Sequence, residues 1–189
     1  MELFYDKKPG YDKLDKKTCM DYAEGYKAFL DEGKTERDAV DAIVRMAEAK
    51  GYKAYVRGMA VNPGDKFYQI NRHKGIILAH IGSAPLSDGV RLTAAHLDAP
   101  RIDIRTVPLY EQDGMAYFKT HYYGGIKKYH WLAIPLELRG VVCVCRDGKV
   151  ERVPVHVGNK PGDPKFVITD LLPHLASEQM VKKATEVIK

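Results

Sequence analysis

His96 and Asp98, in the run Thr93-Ala94-Ala95-His96-Leu97-Asp98-Ala99-Pro100, are the residues whose types and spacing could do chemistry. They follow Arg91–Ala95, a mostly apolar run that reads as a strand. In a strand, residues two apart project from the same face. An imidazole at a strand end can bind a metal, and a carboxylate beside it can orient the ring. On spacing alone, the commoner use of His-x-Asp is a structural histidine hydrogen-bonded near a strand end. A zinc site takes three or four protein ligands. The other histidines are His73, His80, His121, His130, His156 and His174, and none forms His-Glu-x-x-His. No Cys-x-x-Cys and no adjacent Glu-Glu pair occurs in the chain.

Other motifs point to chemistry less directly. Cys143-x-Cys145 lies in a valine-rich strand with both thiols on one face. As a metal clip it would need two more ligands, so it reads as two core thiols. Gly124-Gly125-Ile126-Lys127-Lys128 lacks the Walker spacing and a following helix, which sets aside a phosphate loop. Tyr117–Trp131 interleaves aromatics with lysines that could stack bases, although packing on a β-domain is the more frequent use. Ser83, Ser87 and Ser177 are the only serines, and none sits in Gly-x-Ser-x-Gly.

The elements that must position His96 and Asp98 are helices first, then strands. Leu14–Leu30 reads as a helix with Leu14, Cys19, Tyr22, Ala23, Tyr26, Phe29 and Leu30 near one face, ended by Gly33. Thr35, with Asp38 three residues on, caps a second helix that Gly51 closes. Phe67–Ile70 and Ile76–Ala79 flank a hairpin loop, residues 71–75. After Pro100 the pattern changes to short strands broken by turns at Asp113-Gly114, Gly124-Gly125, Asp147-Gly148 and Pro161-Gly162-Asp163-Pro164. A last amphipathic helix is expected from about Ser177 to the end.

Composition bounds the function classes. A length of 189 residues with 45% hydrophobic and 29% charged residues is globular, and such a chain folded alone can bury about two-thirds of its unfolded surface. No apolar run approaches a membrane span, and Met1–Asp6 shows no signal-peptide pattern. The net charge of +5 is spread over separate lysine pairs, Lys7–Lys8 among them, which favours an ordinary solvated surface over a nucleic-acid stripe. Three cysteines suit a reducing, cytoplasmic setting. No nucleic-acid partner and no membrane are expected.

Several ordered motifs make the chain resemble the aspartyl aminopeptidase and vacuolar aminopeptidase I family of zinc metallopeptidases. They are Arg91–Arg101, Pro108-Leu109-Tyr110, Tyr117–Ile126, Ile168–Ala176 with His174, and the helical segment Tyr26–Arg37. The resemblance covers essentially the whole chain. It implies an α/β fold: residues 1–101 as the first part of an α/β/α zinc-peptidase domain, and residues 102–189 as an inserted, β-rich oligomerisation domain. It implies that His96 is a zinc ligand and that Asp98 holds and polarises the imidazole, placing it with the catalytic residues. It further implies that His174 binds substrate in a neighbouring subunit's active site. Two zinc ions per complete active site, peptide substrates and a dodecamer-type homo-oligomer follow from the same resemblance.

The chain departs from that family in length, because members run to more than twice its size. The family's bridging Asp, Glu-Glu pair, further acidic ligand and final His lie in the second half. The 189 residues are therefore expected to be an N-terminal portion of a zinc aminopeptidase, inactive alone. The alternative is a non-catalytic oligomerisation or interaction module derived from the family.

Overall fold

Thr35 opens the best-formed helix of the chain, and both arms of its capping box close. The backbone N–H of Asp38 donates to Thr35 Oγ1 at 3.3 Å, and the N–H of Thr35 donates to Asp38 Oδ2 at 3.2 Å. An Asp in the third helical position thus does the work usually given to Glu or Gln. The structure is a computed structural model that describes residues 10–188. The readings made on Met1–Asp6, Lys7–Lys8 and Lys189 fall outside those residues.

The chain divides into two units, Met1–Ala99 and Pro100–Lys189. In the first, α1 (Lys16–Glu32) and α2 (Glu36–Glu48) precede a small sheet of β1 (Lys53–Ala54), β2 (Lys66–Asn71) and β3 (Gly75–His80), in the order β1-β2-β3. β1 pairs parallel to β2, and β2 pairs antiparallel to β3 with Lys66 opposite His80. The expected hairpin is present. Its turn sets both Arg72 and His73 in the left-handed region, and the N–H of Lys74 closes on Asn71 O at 3.0 Å. α2 packs against α1 and against β2 and β3. It supplies most of the buried side chains: Ala39, Val40, Ala42 and Ala47. Gly51 closes α2 as expected: at φ 83° it brings the N–H of Tyr52 to Ala47 O and its own N–H to Glu48 O, the paired bonds of a Schellman ending. Tyr68 of β2 is 8% exposed and donates its hydroxyl to Glu48 Oε1 at 2.7 Å. That hydrogen bond to a carboxylate, with burial behind it, raises the phenol above its ordinary pKa.

In the second unit, β4 (Arg101–Gln112) and β5 (Met115–Tyr123) form one antiparallel hairpin, and β6 (Leu138–Arg146) and β7 (Lys149–Val157) form another. Both close through the expected Asp-Gly pairs, with φ of 54° and 74° at Asp113-Gly114 and 50° and 73° at Asp147-Gly148. Two consecutive left-handed residues match the twist of the flanking strands. β4 shifts register between Ile104 and Leu109, where Pro108 lacks an N–H for the ladder.

Three expectations are corrected. Arg91–Ala95 is not a strand: residues 89–100 have no regular structure, and Val90 and Leu92 are 73% and 86% exposed. A strand needs a neighbour for its ladder, and no described strand pairs with this segment. The last helix is short: α3 spans only Ser177–Met180, and Met180 and Val181 are exposed. Of the expected apolar face only Val187 and Ile188 are half-buried, and a short helix needs more packing than that to persist. α1 forms, but it buries no side chain, and Tyr22 and Tyr26 of its apolar face are exposed. No described helix is long and apolar enough to cross a membrane.

Candidate metal centre

The run from Val90 to Pro100 leaves the first unit without regular structure, yet it brings His96 and Asp98 together. A ring nitrogen of His96, Nδ1, lies 2.8 Å from the Asp98 carbonyl oxygen and 3.3 Å from Asp98 Oδ1. A strand would place residues two apart on one face, but a carbonyl two residues on would be out of the ring's reach. Here the contact forms in a segment without regular structure. A carbonyl oxygen only accepts, so Nδ1 carries the proton and donates it. The second ring nitrogen, Nε2, is then left with its lone pair, the tautomer a metal-ligating histidine needs. The imidazole side chain is 81% exposed and that of Asp98 is 42% exposed.

Just beyond, the chain is held by chemistry that the Gly-Gly pair makes possible. Gly124 has a φ of 74°, and a Cβ there would come 3.4 Å from Pro100 Cα. The glycine supplies both the left-handed backbone and the close approach. Arg101 lays its guanidinium 4.0 Å above the Tyr123 ring and holds Asp103 Oδ1 at 2.7 Å.

His174 sits in a single 3-10 turn, Pro173–Leu175, of the second unit and is exposed. Pro173 at the start of that turn fixes φ for the tight backbone. The turn borders an open groove of about 330 Å³ lined by Tyr129, Leu132, Asp170, Pro173, Gln179 and Met180, among others; His174 does not line it.

The donor set does not fit a complete zinc site. Zinc takes three or four protein ligands. Among the described residues, no group of three or more His, Cys, Asp or Glu could hold a metal ion. One well-oriented imidazole is present, with a carboxylate and a carbonyl behind it. The reading of Cys143 and Cys145 as core thiols is corrected: both are free and exposed on β6.

Comparison with known proteins extends this picture. A family model described as aminopeptidase I zinc metalloprotease (M18) matches residues 29–188. A probable M18 family aminopeptidase 1 from Clostridium acetobutylicum is 43% identical over 195 aligned positions, covering 100% of this chain and 41% of that protein. The crystal structure of an M18 aminopeptidase from Thermotoga maritima superimposes with a TM-score of 0.86 at 39% identity, over 98% of this chain and 40% of that one. The mApe1 dodecamer of S. cerevisiae shares the fold with a TM-score of 0.63 at 20% identity, over 76% of this chain and 34% of that one. The chain therefore spans about two-fifths of the length of the curated relatives it matches.

Proposed function

The chain belongs to the aminopeptidase I zinc metalloprotease (M18) family, and from that membership we propose that it supplies one portion of a zinc-dependent aminopeptidase acting on the N-terminal residues of peptides. The observation that carries the residue assignment is the His96 ring held through Nδ1 by Asp98. In this reading His96 Nε2 is a zinc ligand. Asp98 is a positioning residue: its carbonyl and carboxylate fix the ring's tautomer and raise the basicity of Nε2. His174 contacts substrate, carried there by the second unit. Residues 1–101 belong to the catalytic domain, and 102–189 to a β-rich domain that assembles a homo-oligomer of the dodecamer type. The remaining ligands of a two-zinc site, and the general base, come from outside these 189 residues. The chain alone does not hydrolyse peptides, since one imidazole cannot hold a catalytic zinc. The setting is cytoplasmic.

Complementation tests this. The 189-residue chain is mixed with the part of an M18 relative that lies beyond the matched region, and hydrolysis of an aminoacyl reporter and bound zinc are measured together. The chain alone gives background hydrolysis and weak zinc binding, and the mixture gains both. His96→Ala in the mixture loses both, and Asp98→Asn lowers zinc affinity about 10–100-fold, the usual effect of removing a carboxylate behind a ligating histidine. Normal turnover by the chain alone overturns the assignment. An oligomer of defined size that gains neither zinc nor activity from the complement supports the non-catalytic module.

A further inference from the structure

The thiols of Cys143 and Cys145 are the chemically strongest groups that the proposed peptidase role leaves unused. Both are free and exposed, and both lie on β6. Their register opposite β7 is regular: Cys143 faces Arg152 and Cys145 faces Val150. Two residues apart on a strand, they share one face, with Cα atoms about 6.8 Å apart.

We propose that Cys143 and Cys145 form a two-thiolate site for a soft, thiophilic cation of the Cu(I) class. The spacing decides between bond types. A disulfide joins sulfurs at about 2.05 Å and wants Cα atoms no farther apart than about 6.8 Å, so a direct bond lies at the edge of what an extended strand allows. A metal between the two sulfurs widens the bridge, since each metal–sulfur bond is about 2.3 Å, as for zinc thiolates. Thiolate ligands also select soft ions over Mg, Ca or Mn. Zinc is disfavoured, because no third and fourth ligand stands with the pair among the described residues. On binding, two S–H bonds break, two metal–sulfur bonds form, and both protons pass to solvent. The copper stays Cu(I), so no oxidant is involved. The product carries one net negative charge, and Arg152, opposite Cys143 on the same face, places a guanidinium-bearing residue next to it.

The test uses the full, reduced chain without oxygen, and Cu(I) presented on a chromophoric Cu(I) chelator. The expected result is withdrawal of one Cu(I) per chain. Cys143→Ser and Cys145→Ser each lose that binding, and Cys19→Ser keeps it, with far-ultraviolet circular dichroism unchanged in all three. In the unsubstituted protein, bound Cu(I) protects Cys143 and Cys145, but not Cys19, from alkylation read by peptide mass, a readout that depends on no variant folding. Failure to draw Cu(I) from the chelator overturns the proposal. So does equal protection of Cys19, or one Cu(I) shared between two chains in a covalently sized dimer.

Discussion

Asp163 shows how a single side chain organises a loop around the buried Gly158. Its Oδ2 accepts the backbone N–H of Gly158 at 3.0 Å and of Lys160 at 3.1 Å, while Lys165 donates to Gly158 O. The Lys160 N–H first, then that of Gly158, stabilise the carboxylate and hold its pKa below the ordinary 3.8. A carboxyl lowered on folding stabilises the loop above its unfolded value, and that contribution is lost as pH falls through the lower folded value. The amide resonances of Gly158 and Lys160 should therefore titrate together with a midpoint below 3.8, and Asp163→Asn should abolish that titration. A midpoint at or above 3.8 would show that these bonds do not hold the carboxylate. The turn was legible at Pro161-Gly162-Asp163-Pro164, but its hub was not, because nothing in the four letters says which backbone amides a carboxylate will find. The His96–Asp98 pair was legible in the same partial way. Its spacing announced a contact, and the contact forms in a segment without regular structure instead of on a strand.

Among the elements, those closed by their own neighbours in sequence formed as read. α2 has a reciprocal cap, an apolar face that is buried, and the Schellman ending at Gly51. Thr35→Ala should cost about 1 kcal/mol of stability, measured by urea denaturation followed by circular dichroism, as for other lost N-caps. An unchanged midpoint would mean that α2 is held by packing alone. α1 has a comparable cap, Asp15 accepting the N–H of Thr18 at 2.8 Å, yet it buries nothing. The two hairpins with Asp-Gly turns are also where the sequence put them, since φ above zero at both turn residues is a local demand that Gly meets at no steric cost. The segment Arg91–Ala95 and the end of the last helix lack such local closure. Their apolar residues were read as needing burial, and Leu92, Met180 and Val181 among them stand exposed.

For the molecule as a whole, surface area gives the scale of what is uncovered. A compact monomer of this length exposes about 9,000 Å², and two separately folded halves about 11,000 Å². This chain exposes 16246 Å². Among the described residues, the buried apolar side chains come down to Ala39, Val40, Ala42, Ala47, Tyr68 and Ala176. The expectation that the chain buries a core of ordinary size is thereby corrected, in keeping with a match that spans two-fifths of its relatives. Hydrogen exchange provides the check. Backbone amides of Arg91–Ala95 should exchange at nearly unprotected rates in the chain alone, and they should gain protection when the complementary part of an M18 relative is added. Protection in the isolated chain would show that the ladder partner is already present.

By itself the sequence determined the family, the order of helices before strands, the caps and turns, and the nearness of His96 to Asp98. The caps, the turns and the His96–Asp98 contact rest on hydrogen bonds and backbone angles satisfied within a few residues, so no distant partner was needed. The tertiary structure alone decided whether Arg91–Ala95 becomes a strand and whether the thiols of β6 face solvent or a core. Ladder pairing and burial depend on surfaces far along the chain. An apolar pattern records the need for such a surface without supplying it.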